Sequence, residues 1–188
     1  MSPQPDTRVQ IMDAFAEQLA ATGYPGISLA QVGRTVGIQK PSIYHHFPGG
    51  KEDLYIAVAE RYIQAVGGQV AAALADPGAV EQRLHALATV VAGQKGEAIT
   101  FEQRIYDALP LVSEATRDHV SARYVALLLA PVTEFFTEAR QAGLVAGEPE
   151  FLMNAFLHLA RAADLTDDTG PARIVALFLD GARPRGTG

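Results

Sequence analysis

The side chains with the clearest chemistry in this sequence lie close together: Gln39, Lys40, Pro41, Ser42, Tyr44 and His45, with Ser28 upstream and Lys51 downstream. Lys40 is suited to donate to a guanine edge or a phosphate oxygen. Ser42 and His45 are short enough to reach base edges from a closely docked helix. Pro41 offers only apolar contact, of the kind a thymine methyl accepts. This is hydrogen-bonding and electrostatic chemistry directed at a nucleic acid.

A helix has to present them. Pro41 tolerates only a first-turn position, so the helix is expected to start at about Lys40. Ile43 and Phe47 lie four apart on one face and point into a core. Rotating about 100° per residue from Ile43 puts Ser42 and Tyr44 on the flanks and His45 nearly opposite, and returns His46 to the edge of the buried face. Upstream, Ser28 and Gln31 have the spacing of a reciprocal capping box. Leu29, Val32 and Val36 recur at helical spacing, Gly33 permits close approach of a neighbouring helix, and Gly37 allows the chain to stop and turn. Two short helices around a glycine turn with a polar outer face form the layout of a helix-turn-helix. Neighbours on a helix diverge by about 100°, so His45 and His46 cannot share one ion, and no metal is expected.

The order Tyr44, His46, Phe47 and Lys51 after a small-residue helix and a glycine turn resembles the N-terminal DNA-binding domain of TetR-family transcriptional regulators. The preceding segment, about 7–22, fits too. Ile11, Phe15 and Leu19 recur every fourth residue, and Thr7 with Gln10 predicts a second capping box. The likeness covers about residues 7–60. It implies an all-α fold: an N-terminal three-helix helix-turn-helix DNA-binding domain (1–50) and a C-terminal helical ligand-binding and dimerisation domain (51–188), joined by a connector helix (51–75). It further implies a cytoplasmic homodimer that places the helix from about Lys40 to Phe47 in the major groove of each half of a near-palindromic double-stranded DNA operator. Tyr44 and Lys51 would hold the phosphate backbone, and Ser28 would add a phosphate contact. The tilt of the connector would set the spacing of the two heads.

Charge is divided unevenly along the chain. Residues 1–51 hold four Lys/Arg against three acids, whereas residues 52–188 hold 11 against 18 and account for the overall −6. So modest a basic head predicts few phosphate contacts per subunit and reliance on dimerisation. At 188 residues and 48% hydrophobic content the chain can bury a sizeable core. The absence of Cys excludes disulfides, thiol chemistry and Cys-ligated zinc. The longest unbroken apolar run, Tyr124 to Val132, is half a membrane span, so no membrane-crossing helix is expected. No nucleophile with a base, paired carboxylates or phosphate-cradling loop stands at recognisable spacing. Gly49-Gly50-Lys51 lacks the P-loop arrangement, so neither catalysis nor a cofactor is expected.

Downstream, Asp76, Pro77 and Gly78 are expected to end the connector, and a helix over about 79–92 to follow. Thr100 and Gln103 predict a third capping box opening a short helix that Pro110 ends. A longer helix is expected from Ser113 to Ala142, stopping at Gly143. Pro131 inside it predicts a break with freed carbonyls near Leu127, facing a cavity or water. An effector pocket would draw on Phe101, Arg104, Tyr106, Tyr124, Leu128, Phe135 and His158, which suits a small, largely apolar or aromatic molecule. The last helices, about 149–163 and 171–182, offer Leu152, Ala155, Phe156 and Leu159, then Ile174, Leu177 and Phe178, as a four-helix dimer interface. The alternative is that these faces complete the monomer core. The function expected is that of a repressor released from its operator by the effector; the alternative is a ligand-independent DNA-binding or protein-interaction module with a filled C-terminal core.

Overall fold

A computed structural model describes residues 6–75, 77–93, 97–162 and 169–183, and all regular structure among them is helical. Among the described residues ten α-helices follow one another: α1 Thr7–Gly26, α2 Leu29–Val36, α3 Lys40–His46, α4 Lys51–Ala75, α5 Val80–Ala92, α6 Glu97–Ala108, α7 Glu114–Tyr124, α8 Ala130–Gln141, α9 Pro149–Ala162 and α10 Gly170–Ala182. A 3₁₀ turn, Leu109–Leu111, follows α6 at Pro110, and a π turn, Val125–Leu129, joins α7 to α8.

The chain forms two compact units. The first comprises residues 1–63 and 96–123, the second residues 64–95 and 124–188, so α4 contributes to both. In the first unit α1 packs on α2 and α6 around Ile11, Phe15, Leu19, Val32, Ile43 and Leu54, each inaccessible to solvent. Fully burying a side chain of this size contributes about 1.5–3 kcal/mol, which is what holds three short helices in one arrangement. The regular part of α1 ends where expected, because Gly23 takes φ +68° inside the helical span and Pro25 follows. Its start differs: Asp6, not Thr7, is the N-cap, and its carboxylate accepts from Arg8 N–H at 3.1 Å. Asp is as good a cap as Thr, and the Thr7–Gln10 pairing is displaced by one residue.

In the second unit α5, α8, α9 and α10 pack around a cluster of phenylalanines. Phe136 makes edge or tilted ring contacts with Phe135, Phe156 and Phe178 at centroid distances of 5.1–6.1 Å. Arg83 runs over the Phe135 ring at 4.6 Å and donates to the Leu74 carbonyl at 2.8 Å, placing a cation at the C-terminal end of α4 where the helix dipole favours it.

The helix predicted from Ser113 to Ala142 is interrupted where Pro131 requires it. Pro131 has no N–H to offer its preceding turn, and the chain responds by widening to a π turn over Val125–Leu129, closed by Ala130 N–H donating to Val125 O. The Leu127 carbonyl lies against α4 at Gly67, where an added Cβ would be 3.0 Å from it. α6 already includes Thr100 inside its span, so the third capping box does not open it. Gln103 instead donates to Asp107 at 2.8 Å, one turn on.

The stretch Glu114–Gln141 is long and apolar enough to cross a membrane by length and composition. An average over a window tolerates scattered polar residues that a count of unbroken apolar runs does not. Val132, Phe135 and Phe136 of this stretch are buried in the core of the second unit.

Candidate nucleic-acid interface

Ser28 caps α2, its hydroxyl accepting from Gln31 N–H at 3.4 Å. The capping box is only half formed. Ser28 N–H donates to Gln18 Oε1 at 3.1 Å, while Gln31 Oε1 turns to Arg34 Nε at 3.1 Å. α2 ends at Gly37, φ +76°, with Ile38 N–H reaching Gly33 O at 2.9 Å and Gly37 N–H reaching Arg34 O at 3.2 Å, the doubly bonded glycine terminus of a Schellman motif. Gly33 is required for close approach: a Cβ there would stand 2.8 Å from the Ile38 carbonyl.

This turn delivers α3 with Pro41 in its first turn, as anticipated. Ile43 and Phe47 are buried, and Gln39, Lys40, Pro41, Ser42, Tyr44 and His45 are all exposed. His46 is half-buried, its ring edge-on to His45 at 5.5 Å. The exposed side of α3 and its N-cap therefore carries amide, ammonium, hydroxyl, phenol and imidazole groups.

Lys51 opens α4 with its Nζ 4.4 Å from the Tyr24 ring centroid. Burial draws its pKa below the ordinary 10.5, and an approaching phosphate would favour the charged form again. Tyr24 is pushed up to about 12, first by burial and then by the negative charge of Glu52. Tyr24 in turn meets Tyr55 edge-on at 5.4 Å, and the Tyr55 hydroxyl donates to Ile105 O of α6 at 2.8 Å. A cation is thus seated on the Tyr24 ring at the start of α4. Among the described residues no group of His, Asp and Glu could hold a metal ion.

A sequence model described as "Bacterial regulatory proteins, tetR family" matches residues 11–58, the segment that builds α1 to α3 and the first turns of α4. That segment is similar to the TetR family. It is 40% identical over 66 residues to the HTH-type transcriptional regulator LmrA of Bacillus subtilis, a stretch covering 35% of each chain. The chain spans less than half the length of the curated relatives it matches. Those relatives are named as transcriptional regulators, a role that is not enzymatic. The whole fold is similar to a TetR-family protein from Vibrio parahaemolyticus, at TM-score 0.77 and 20% identity, covering 96% of this chain and 100% of that one. It is also similar to AibR, solved in complex with isovaleryl coenzyme A and operator DNA, at TM-score 0.71 and 19% identity, covering 95% and 99%.

The TetR-like head carries features that spacing did not reveal. Arg104 of α6, expected in an effector pocket, donates from Nε to Ala20 O at 3.3 Å and holds the end of the regular part of α1. Glu52 accepts from Ser113 and Thr116 of α7, and Glu60 pairs with His119 at 2.8 Å. These contacts join residues dozens of positions apart, and no local pattern announces them.

Of the other expected pocket residues, Phe101 meets Tyr62 edge-on at 5.5 Å and Tyr106 is half-buried, both in the first unit. Tyr124 is half-buried, Leu128 and Phe135 are buried and His158 is exposed, all in the second. Of the expected interface residues, Leu152, Phe156 and Phe178 are buried in the core of the second unit, and Ala155, Leu159 and Ile174 are half-buried. Leu177 is 62% exposed, as is Phe151 of α9 at 70%, a residue outside the expected set.

Proposed function

We propose that this chain is a dimeric, cytoplasmic, DNA-binding transcriptional regulator that places α3 of each subunit in the major groove of a near-palindromic operator. The observation that carries this reading is the outer face of α3, where Gln39, Lys40, Pro41, Ser42, Tyr44 and His45 stand exposed above the buried Ile43 and Phe47. Lys40, Ser42 and His45 supply the donors and acceptors that base edges demand, while Ser28, Tyr44 and Lys51 hold phosphates and set register. In this reading the DNA-binding domain is residues 1–50 and the remainder serves effector binding and dimerisation.

The dimer forms through the outer faces of α9 and α10, with Phe151 and Leu177 as the exposed apolar anchors flanked by Ala155, Leu159 and Ile174. Large apolar side chains at such exposure lose free energy to water until a partner covers them. A small, largely apolar or aromatic effector favours a dimer conformation whose heads no longer match half-sites about one helical turn apart, so the operator is released and repression ends. The phenylalanine cluster that fills the second unit favours a second reading, a ligand-independent DNA-binding or interaction module. A thermal-shift screen with apolar and aromatic acids and esters separates the two, since a ligand of the folded state raises the melting temperature.

DNA binding itself is tested by anisotropy with a labelled duplex pool at increasing salt. Binding that weakens steadily with salt supports the regulator reading, and no binding even at about 50 mM salt contradicts it.

A further inference from the structure

Resting on that DNA-binding reading, we propose that Glu52 is a positioning residue for operator binding: its carboxylate, seated on the N-terminus of α7, fixes the first turn of α4 and with it the Lys51 ammonium. Glu52 Oε1 accepts from Ser113 N–H at 3.1 Å, and Oε2 accepts from the Ser113 hydroxyl at 2.6 Å and the Thr116 hydroxyl at 2.7 Å. Ser113 Oγ also lies 3.3 Å from Thr116 N, the cap of α7, so carboxylate, hydroxyls and helix terminus form one network.

Two physical consequences follow. A carboxylate at the positive end of a helix is favoured by the dipole and the unpaired N–H groups there. Its hydrogen bonds to Ser113 and Thr116 hold its pKa below the ordinary carboxylate value, so it stays charged and fixed at neutral pH. An acid beside a phosphate-binding lysine would otherwise be free to swing toward Lys51 or the DNA and oppose binding. With both oxygens occupied by α7, Glu52 is turned away, and Lys51 is left on the Tyr24 ring.

The test uses variants that change no charge. Ser113→Ala with Thr116→Val removes the hydroxyl donors, whereas Thr116→Ser keeps both. Affinity for the labelled duplex pool is measured across salt in the full-length protein, with folding checked by circular dichroism. The double variant is expected to bind roughly tenfold more weakly, with a salt dependence flattened toward that of Lys51→Ala. Adding Lys51→Ala to it should cause little further loss, and Thr116→Ser should bind as the wild type does. Wild-type affinity and salt dependence in the folded double variant, or losses that simply multiply when Lys51→Ala is added, would overturn the proposal. Should the double variant not fold, Thr116→Val alone, which preserves the buried shape, carries the same comparison. Failure of the wild type to bind any duplex would instead overturn the DNA-binding reading itself.

Discussion

Tyr44 lies against Gly50 so closely that a Cβ on the glycine would come within 2.9 Å of Tyr44 Cε1. Gly50 also holds φ +66°, which disfavours any side chain there. The phenol on the flank of α3 is therefore set by the residue just before α4. Gly50→Ala is expected to lower stability by about 1–2 kcal/mol through backbone strain and to weaken DNA binding further by displacing Tyr44. Thermal melts and duplex titrations of the same variant check the two effects separately.

Base-reading and phosphate-holding residues should fail differently. Lys51→Ala is expected to weaken binding to all sequences alike and to reduce the salt slope by about one contact per head. Ser42→Ala and His45→Ala should change base preference, by about 1–3 kcal/mol at the affected position. Sequencing of the duplexes bound by each variant checks this; a changed preference in Lys51→Ala with none in His45→Ala contradicts the docking of α3.

The same first turn of α4 gives a pH signature. Glu52 has a folded pKa below its ordinary 4.5, so its stabilising contribution is complete above about that value and is lost as pH falls through the folded pKa. Tyr24 remains neutral throughout this range. The difference in melting temperature between wild type and Glu52→Gln is therefore expected to be constant between about pH 6 and 7 and to shrink below about pH 4.5. A difference that grows on acidification contradicts the assignment.

Phe151 and Leu177 are expected to carry the subunit interface. Phe151→Ala should cost the dimer about 2 kcal/mol or more, and Leu177→Glu should leave a folded monomer at micromolar concentration. Light scattering after gel filtration reads the mass directly. An unchanged dimer in both variants places the interface elsewhere.

What the sequence disclosed and what it withheld divide along a physical line. The start of α3 was legible because Pro41 admits one helical position, and the turn before it because Gly37 must take positive φ. Ile43 and Phe47 were legible as core because spacing alone puts them on one face. The cap of α1 slipped by a residue because Asp6 and Thr7 are both competent caps, and only the chain's approach chooses between them. Pro131 announced a break, but its form, a π turn against Gly67, depends on a helix more than fifty positions away. Arg104 and Glu52 carry contacts of the same kind. Their spacing resembles that of any solvated charge, and the groups they hold are brought near only by tertiary packing. On α9 and α10, periodicity identified an apolar surface but not its two sides. Leu152, Phe156 and Phe178 turn inward, while Phe151 and Leu177 turn out.

The central claim is that the exposed face of α3 reads DNA, and selection of random duplexes by the purified wild-type protein, with the bound pool sequenced at moderate salt, tests it most directly. Enrichment of a near-palindromic site with half-sites about one helical turn apart is the predicted result. A folded, unliganded dimer that enriches no sequence would contradict it.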